Sequence, residues 1–97
     1  MSDPDIHHEL TGQNGRYSLT LNGASAELTY QIGAPDLIIA NRTYVDPAIR
    51  RGKVAQALVE RLVADARDSG VKILPACSYI SALLRQHPEW EDVFAGG

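Results

Sequence analysis

Arg16–Leu21 alternates apolar and polar residues, with Tyr17, Leu19 and Leu21 on one side. Ala24–Ile32 resumes the alternation with Ala26, Leu28, Tyr30 and Ile32. A period of two sends successive side chains to opposite faces, so each stretch predicts a strand with one buried face. Asn22-Gly23 between them is the strongest two-residue hairpin signal, because the favoured turn needs positive φ at both central residues. Gly33-Ala34-Pro35-Asp36 marks the next turn. Leu37–Val45 predicts a third strand, more continuously apolar at its start, as a central strand is. Then the period changes. Apolar residues at 54, 55, 58, 59, 62, 63 and 66 form one helical face, predicting a helix from about Ile49 to Ser69 that stops at Gly70. Val71–Leu74 is a fourth strand, and Pro75, which has no N–H to donate, ends or splays it. Tyr79, Ile80, Leu83 and Leu84 return to helical spacing within 78–86, and His87-Pro88 breaks that helix. Pro88-Glu89-Trp90 can start a last short turn, with Val93 and Phe94 closing over the core.

Together these elements describe an α/β (α+β) mixed sheet: an antiparallel meander, a crossover helix, a returning strand parallel to the third, and a C-terminal helix. Residues 1–15 read as a lead-in, disordered or loosely docked, with a brief strand near Ile6–Leu10. Residues 16–97 read as a single domain.

Composition narrows the functional classes. Ninety-seven residues support one modest core, and the net charge of −3 without a long basic run argues against a nucleic-acid partner. No stretch approaches the roughly 20 apolar residues of a membrane span. Met1–Leu10 is polar, and the lone Cys77 excludes an intrachain disulfide, so a cytoplasmic setting is expected. His7, His8 and His87 have no metal-ligand spacing, and no metal is expected. A monomer or weak homodimer is the expected state.

Two stretches carry candidate chemistry. In Asp46–Leu62 a strand, a tight turn and a helix start follow one another, and Arg50, Arg51 and Lys53 crowd the helix N-terminus. The first N–H groups of a helix lack intrahelical partners and the macrodipole favours an anion there, so cations work against it. A bound phosphate would resolve the conflict; a solvated basic turn is the plain alternative. In Ile73–Tyr79 a strand ends in a cysteine just before a helix, where N-terminal amides can lower a thiol's pKa. Burial as a small apolar residue is the alternative for Cys77.

Arg50-Arg51-Gly52-Lys53-Val54-Ala55 resembles the acyl-CoA-binding signature Q/R-x-x-G-x-G/A of the GNAT superfamily of N-acetyltransferases. Lys53 stands where that family has its internal glycine, and Gly52 comes one position early. With Tyr44-Val45-Asp46-Pro47 before it, and Pro75-Ala76-Cys77-Ser78-Tyr79 and His87-Pro88-Glu89-Trp90 after it, residues 16 to 94 are similar to the minimal GNAT-like proteins of roughly 100 residues. This branch lacks the helices that larger members insert between their first two strands.

The resemblance implies a GNAT-like acetyltransferase domain and acetyl-CoA as cosubstrate. It places the pantetheine arm along Tyr44 and Val45 and the pyrophosphate on Arg50, Arg51, Gly52, Lys53, Val54 and Ala55. Cys77 and Tyr79 would border the acetyl end, Tyr79 as general acid for the CoA thiolate and Cys77 as an acetyl-accepting nucleophile. Glu27 or Asp46 stands as the base, and each also reads as a surface carboxylate. The expected activity is N-acetyl transfer to an unidentified amine or protein acceptor. The alternative is a non-catalytic CoA-binding or protein-interaction module.

Overall fold

The computed structural model describes residues 6–21 and 23–95, and of residues 50–52 the backbone alone. Five strands, β1 (His7–Thr11), β2 (Asn14–Leu21), β3 (Ala24–Ala34), β4 (Leu37–Val45) and β5 (Lys72–Pro75), form one sheet in the order β1-β2-β3-β4-β5. The first four pair antiparallel, and β4 pairs with β5 in parallel. Helix α1 (Val54–Ser69) makes the crossover between them, and α2 (Ser78–Gln86) follows β5. This is the mixed α/β sheet that the alternation and the change of period predict. The strand expected near residues 6–10 runs His7–Thr11 as the edge of the sheet. Asn22, the first residue of the expected hairpin turn, lies outside the described residues, while Gly23 has the positive φ of 83° that such a turn uses.

Alternation decides which face is buried. Tyr17 and Leu19 of β2, Ala24, Ala26, Leu28 and Tyr30 of β3, and Ile38 and Ala40 of β4 all join the core. Leu58, Val59, Leu62, Val63 and Ala66 of α1 cover them. Fully burying a leucine or valine contributes about 1.5–3 kcal/mol, so this one face supplies most of the stabilisation. Past α2, a 3-10 turn (Pro88–Val93) brings Phe94 beside Ile73 as a parallel bridge at the outer edge of β5. Right-handed crossovers that continue in one direction keep their helices on one side of the sheet. The opposite face stays open, and Glu9, Arg16, Gln31, Asn41, Tyr44 and Leu74 on it are exposed.

Two local features differ from the expected pattern. The predicted continuous helix from Ile49 is a 3-10 turn, Pro47–Gly52, followed by α1 from Val54. Lys53 separates them at φ 58°, ψ 29°, the left-handed region, and so caps one helix and starts the next. Ile49 is buried like the α1 positions, which is why the apolar pattern runs through the break. Strand β4 also carries a bulge: Thr29 pairs with Arg42 but Tyr30 with Ala40, leaving Asn41 as an extra residue. The bulge shifts the phase, so the inward positions of β4 are 38 and 40 before it and 43 and 45 after it.

Candidate functional site at the parting of β4 and β5

Pairing between β4 and β5 ends at Ala40–Pro75, with one more bond from the Ala76 N–H to the Ala40 carbonyl at 2.9 Å. Strand β4 continues to Val45, while the segment after β5 turns away into α2. Pro75 supplies the cause, since it cannot donate to the ladder. The strands therefore part, and a cleft of about 300 Å³ opens beside the gap, lined by Thr43, Val45, Lys53, Ala55 and Tyr79. Its lining combines the re-phased inward face of β4, the start of α1 and the first turn of α2.

The α1 end of the cleft suits an anion. Lys53 makes no side-chain cap to α1, and the first turn contains no acidic residue. The first intrahelical bond runs from the Ala57 N–H to the Lys53 carbonyl at 3.1 Å. The preceding amides of the helix have no intrahelical acceptor and carry the positive end of the dipole. Ala55, small and half-buried, leaves the approach clear.

The α2 end presents a thiol and a phenol. Cys77 is the residue before α2, and its sulfur lies 3.8 Å from the Thr43 hydroxyl oxygen. Burial pushes the thiol's pKa up, but bonds from the backbone of Ile80, the Thr43 hydroxyl, and the backbones of Tyr79 and Thr43 outweigh it and hold the pKa below the ordinary value. Tyr79 shifts the other way, raised by burial and by the neighbouring Cys77. It keeps its proton at neutral pH while remaining 39% exposed.

The matching family profile is that of the GCN5-related N-acetyl-transferases, and it covers residues 16–93. The chain belongs to this family. A search of curated proteins finds no match. Among solved structures, this GCN5-related domain is similar to the solution structure of a GCN5-like candidate N-acetyltransferase from Staphylococcus aureus. The TM-score is 0.71 at 26% identity, over 100% of this chain and 93% of that one.

Of the residues singled out in the sequence, Val45, Lys53, Ala55 and Tyr79 line the cleft of this GCN5-related domain, and Cys77 stands beside it. Val54 is buried under the helix start. Tyr44 pairs with Glu27, so its side chain is on the open face of the sheet, away from the cleft. Of Arg50, Arg51 and Gly52 the backbone alone is described. The two candidate bases are not in the cleft lining. Asp46 accepts the Ala48 N–H at 2.9 Å as the cap of the 3-10 turn. Glu27 is on the open face, 3.8 Å from Arg16. Thr43, which the sequence reading missed, touches both the cleft and the thiol. Among the described residues no group of His, Cys, Asp and Glu could hold a metal ion, and no helix is long and apolar enough to cross a membrane.

Proposed function

We propose that the domain is an acetyl-CoA-dependent N-acetyltransferase. The observation that carries the reading is the cleft between the extended half of β4 and the starts of α1 and α2, with Lys53 at one end and Cys77 and Tyr79 at the other. Bound acetyl-CoA would supply a thioester, whose carbonyl carbon is open to attack by an amine. The uncapped start of α1 and Lys53 would hold phosphate oxygens, and the inward face of β4 at Thr43 and Val45 would flank the pantetheine arm. As the amine nitrogen forms its bond to the carbonyl carbon, the carbon–sulfur bond breaks. The Tyr79 hydroxyl gives its proton to the departing sulfur and recovers one, through water, from the amine. Cys77 offers a second route, accepting the acetyl group on sulfur before passing it to the amine.

Calorimetric titration with acetyl-CoA and with CoA tests this reading. Binding that weakens with salt is expected, because the contacts at the exposed loop are ionic. No binding at about millimolar ligand, a Kd corresponding to only about −4 kcal/mol, overturns it.

A second reading, a CoA-binding or protein-interaction module without turnover, is favoured by one observation: the described cleft lining contains no carboxylate or imidazole to act as base. Binding of acetyl-CoA without acetylation of any amine in a peptide and polyamine panel would select it. Turnover with any acceptor excludes it.

A further inference from the structure

A second pocket, about 160 Å³, opens near the C-terminal end of α1, and none of its lining residues borders the cleft. From Lys53 to Asp65 the helix rises roughly 18 Å. One wall is aromatic, built by His8 of β1, Tyr17 of β2 and Tyr30 of β3. His8 stacks on Tyr17 at a centroid distance of 4.1 Å, and the Tyr30 ring stands 5.8 Å from Tyr17 and 5.9 Å from His8. The Tyr30 hydroxyl and the His8 Nε2 are 2.7 Å apart, which holds these two rings together. Leu62 and Ile38 are buried beneath, while α1 adds the half-buried Asp65 and the exposed Ser69.

We propose that this pocket is a second ligand site, which takes a compact alkylated ammonium ion as a free small molecule. The charge follows from the lining. Asp65 is a carboxylate near the C-terminus of α1, where the negative end of the macrodipole adds to it. Arg67, the basic residue of the last turn, is outside the lining and is paired with Asp92 at 2.7 Å. Aromatic rings attract a cation over their faces. The protein's own Arg61 shows this preference, its guanidinium carbon 5.9 Å from the Tyr17 ring centroid and its Nε 3.1 Å from the Asp65 carboxylate. That ion pair is exposed, and exposed pairs contribute little, so a ligand cation can compete with it. The size follows from the volume: benzene fits an apolar cavity of about 150 Å³, so the space suits one compact group. The body of the ligand is organic, because among the described residues no group of His, Cys, Asp and Glu could hold a metal ion, and Leu62 and Ile38 match methyl and methylene groups. A ligand here lies too far from the cleft to be an acetyl acceptor, so the site stands whether or not the domain transfers acetyl groups.

The test follows amide resonances of the full chain by NMR, in titrations with choline and with dimethylbutanol, the neutral molecule that has carbon in place of the charged nitrogen. Choline is expected to shift Tyr17, Tyr30, Asp65 and Ser69 and to leave Lys53 and Ala55 in place. Dimethylbutanol should bind about 10-fold more weakly or worse, the scale of a desolvated cation–ring contact. Asp65→Asn removes the charge but keeps an acceptor for the Tyr17 hydroxyl, and should weaken choline by about 10-fold. Ser69→Lys, at an exposed helix position, brings a competing cation to the pocket and should weaken choline as well. Arg61→Gln removes the resident cation and should tighten choline by about 2- to 5-fold, the scale of an exposed ion pair. No shift of the four pocket amides at about 10 mM choline overturns the site. Equal binding of choline and dimethylbutanol, or choline binding unchanged in both Asp65→Asn and Ser69→Lys, overturns the cation class. Binding to phosphatidylcholine vesicles without binding of choline overturns the free small molecule as the occupant.

Discussion

The sulfur of Cys77 lies 3.8 Å from the Thr43 hydroxyl oxygen, across the gap where β4 and β5 part. The contact joins the strand that outruns its partner to the helix that the partner turns into. It also gives the thiolate a hydroxyl donor in addition to the amides at the start of α2. Alkylation of Cys77 by iodoacetamide should therefore rise with pH at a midpoint below the ordinary value of 9.0. Thr43→Val, which removes the hydroxyl and keeps the shape, should move that midpoint upward. The linkage sign is that of a depressed acid: the native state holds the thiolate better than the unfolded chain does. The stabilisation is present above the unfolded pKa and lost as pH falls through the native one. A midpoint at or above 9.0 would remove the helix start and Thr43 as activating groups.

Tyr17 has the opposite shift. It is buried at 2% exposure, its hydroxyl donates to the Asp65 carboxylate at 2.8 Å, and its ring stacks on His8 at a centroid distance of 4.1 Å. Burial first, then the bond and charge of Asp65, raise its pKa well above the ordinary 10.0. A raised native pKa means that the unfolded chain ionises first, so stability is full below the unfolded pKa of about 10 and falls as pH rises beyond it. Denaturant midpoints should drop above that pH with a limiting slope of about 1.4 kcal/mol per pH unit from this residue. In Tyr17→Phe the alkaline slope should be shallower, and at neutral pH the loss of the bond should cost about 1 kcal/mol.

Gly15 is where two strands meet too closely for a side chain. It pairs with Tyr30, and a Cβ on it would lie 2.0 Å from the Tyr30 Cζ. The ring crosses the glycine to bring its hydroxyl within 2.7 Å of the His8 Nε2, which ties the edge strand β1 to the rest of the sheet. Gly15→Ala would force the ring away and break that tie. Overpacking of this kind costs about 1–3 kcal/mol, so the thermal midpoint should fall. Hydrogen exchange should increase in β1 before the rest of the sheet, and an unchanged midpoint would show that the ring yields freely.

Much of the fold could be read from two periodicities. Alternation in 16–32 and the spacing from 54 to 66 assign the strands, the crossover helix and their buried faces, because each element covers one face only. The bulge at Asn41 could not be read in this way. Its effect is a change of phase between Ile38 and Ala40 on one side and Thr43 and Val45 on the other, which becomes visible only once Leu28 and Ala26 of the neighbouring strand define the inside. Thr43 was missed for the same reason: nothing marks a threonine in a strand until the strand is known to outrun its partner. Pro75 did carry that signal, because it fixes where pairing with β5 stops. The apolar pattern likewise runs through Lys53 without registering the break, since Ile49 and Val54 are buried on either side of it.

Lys53 is also where the chain departs from the pattern it resembles, and its conformation says why a glycine is usual there. Among the described residues it is the non-glycine residue at positive φ, 58°. A side chain in the left-handed region costs about 1–2 kcal/mol, which a glycine would not incur. The same residue lines the cleft and can place an ammonium beside a phosphate as a point charge. Strain and ligand therefore pull in opposite directions, and two substitutions separate them. Lys53→Ala keeps the strain and loses the charge: thermal stability should stay near that of the parent, while CoA weakens by about 0.5–2 kcal/mol, the range of charge-assisted contacts at partly exposed sites. Lys53→Gly relieves the strain at some cost in unfolded-chain entropy, about 0.4–1 kcal/mol, and should melt above Lys53→Ala. It should also bind CoA better than Lys53→Ala, because the backbone can then approach the ligand. Calorimetry at low salt and thermal melts of both variants give the four numbers needed. If Lys53→Ala binds CoA as well as the parent, the ammonium contributes nothing and the strained lysine is only an obstacle. If Lys53→Gly melts no higher than Lys53→Ala, the left-handed turn is not where the strain lies.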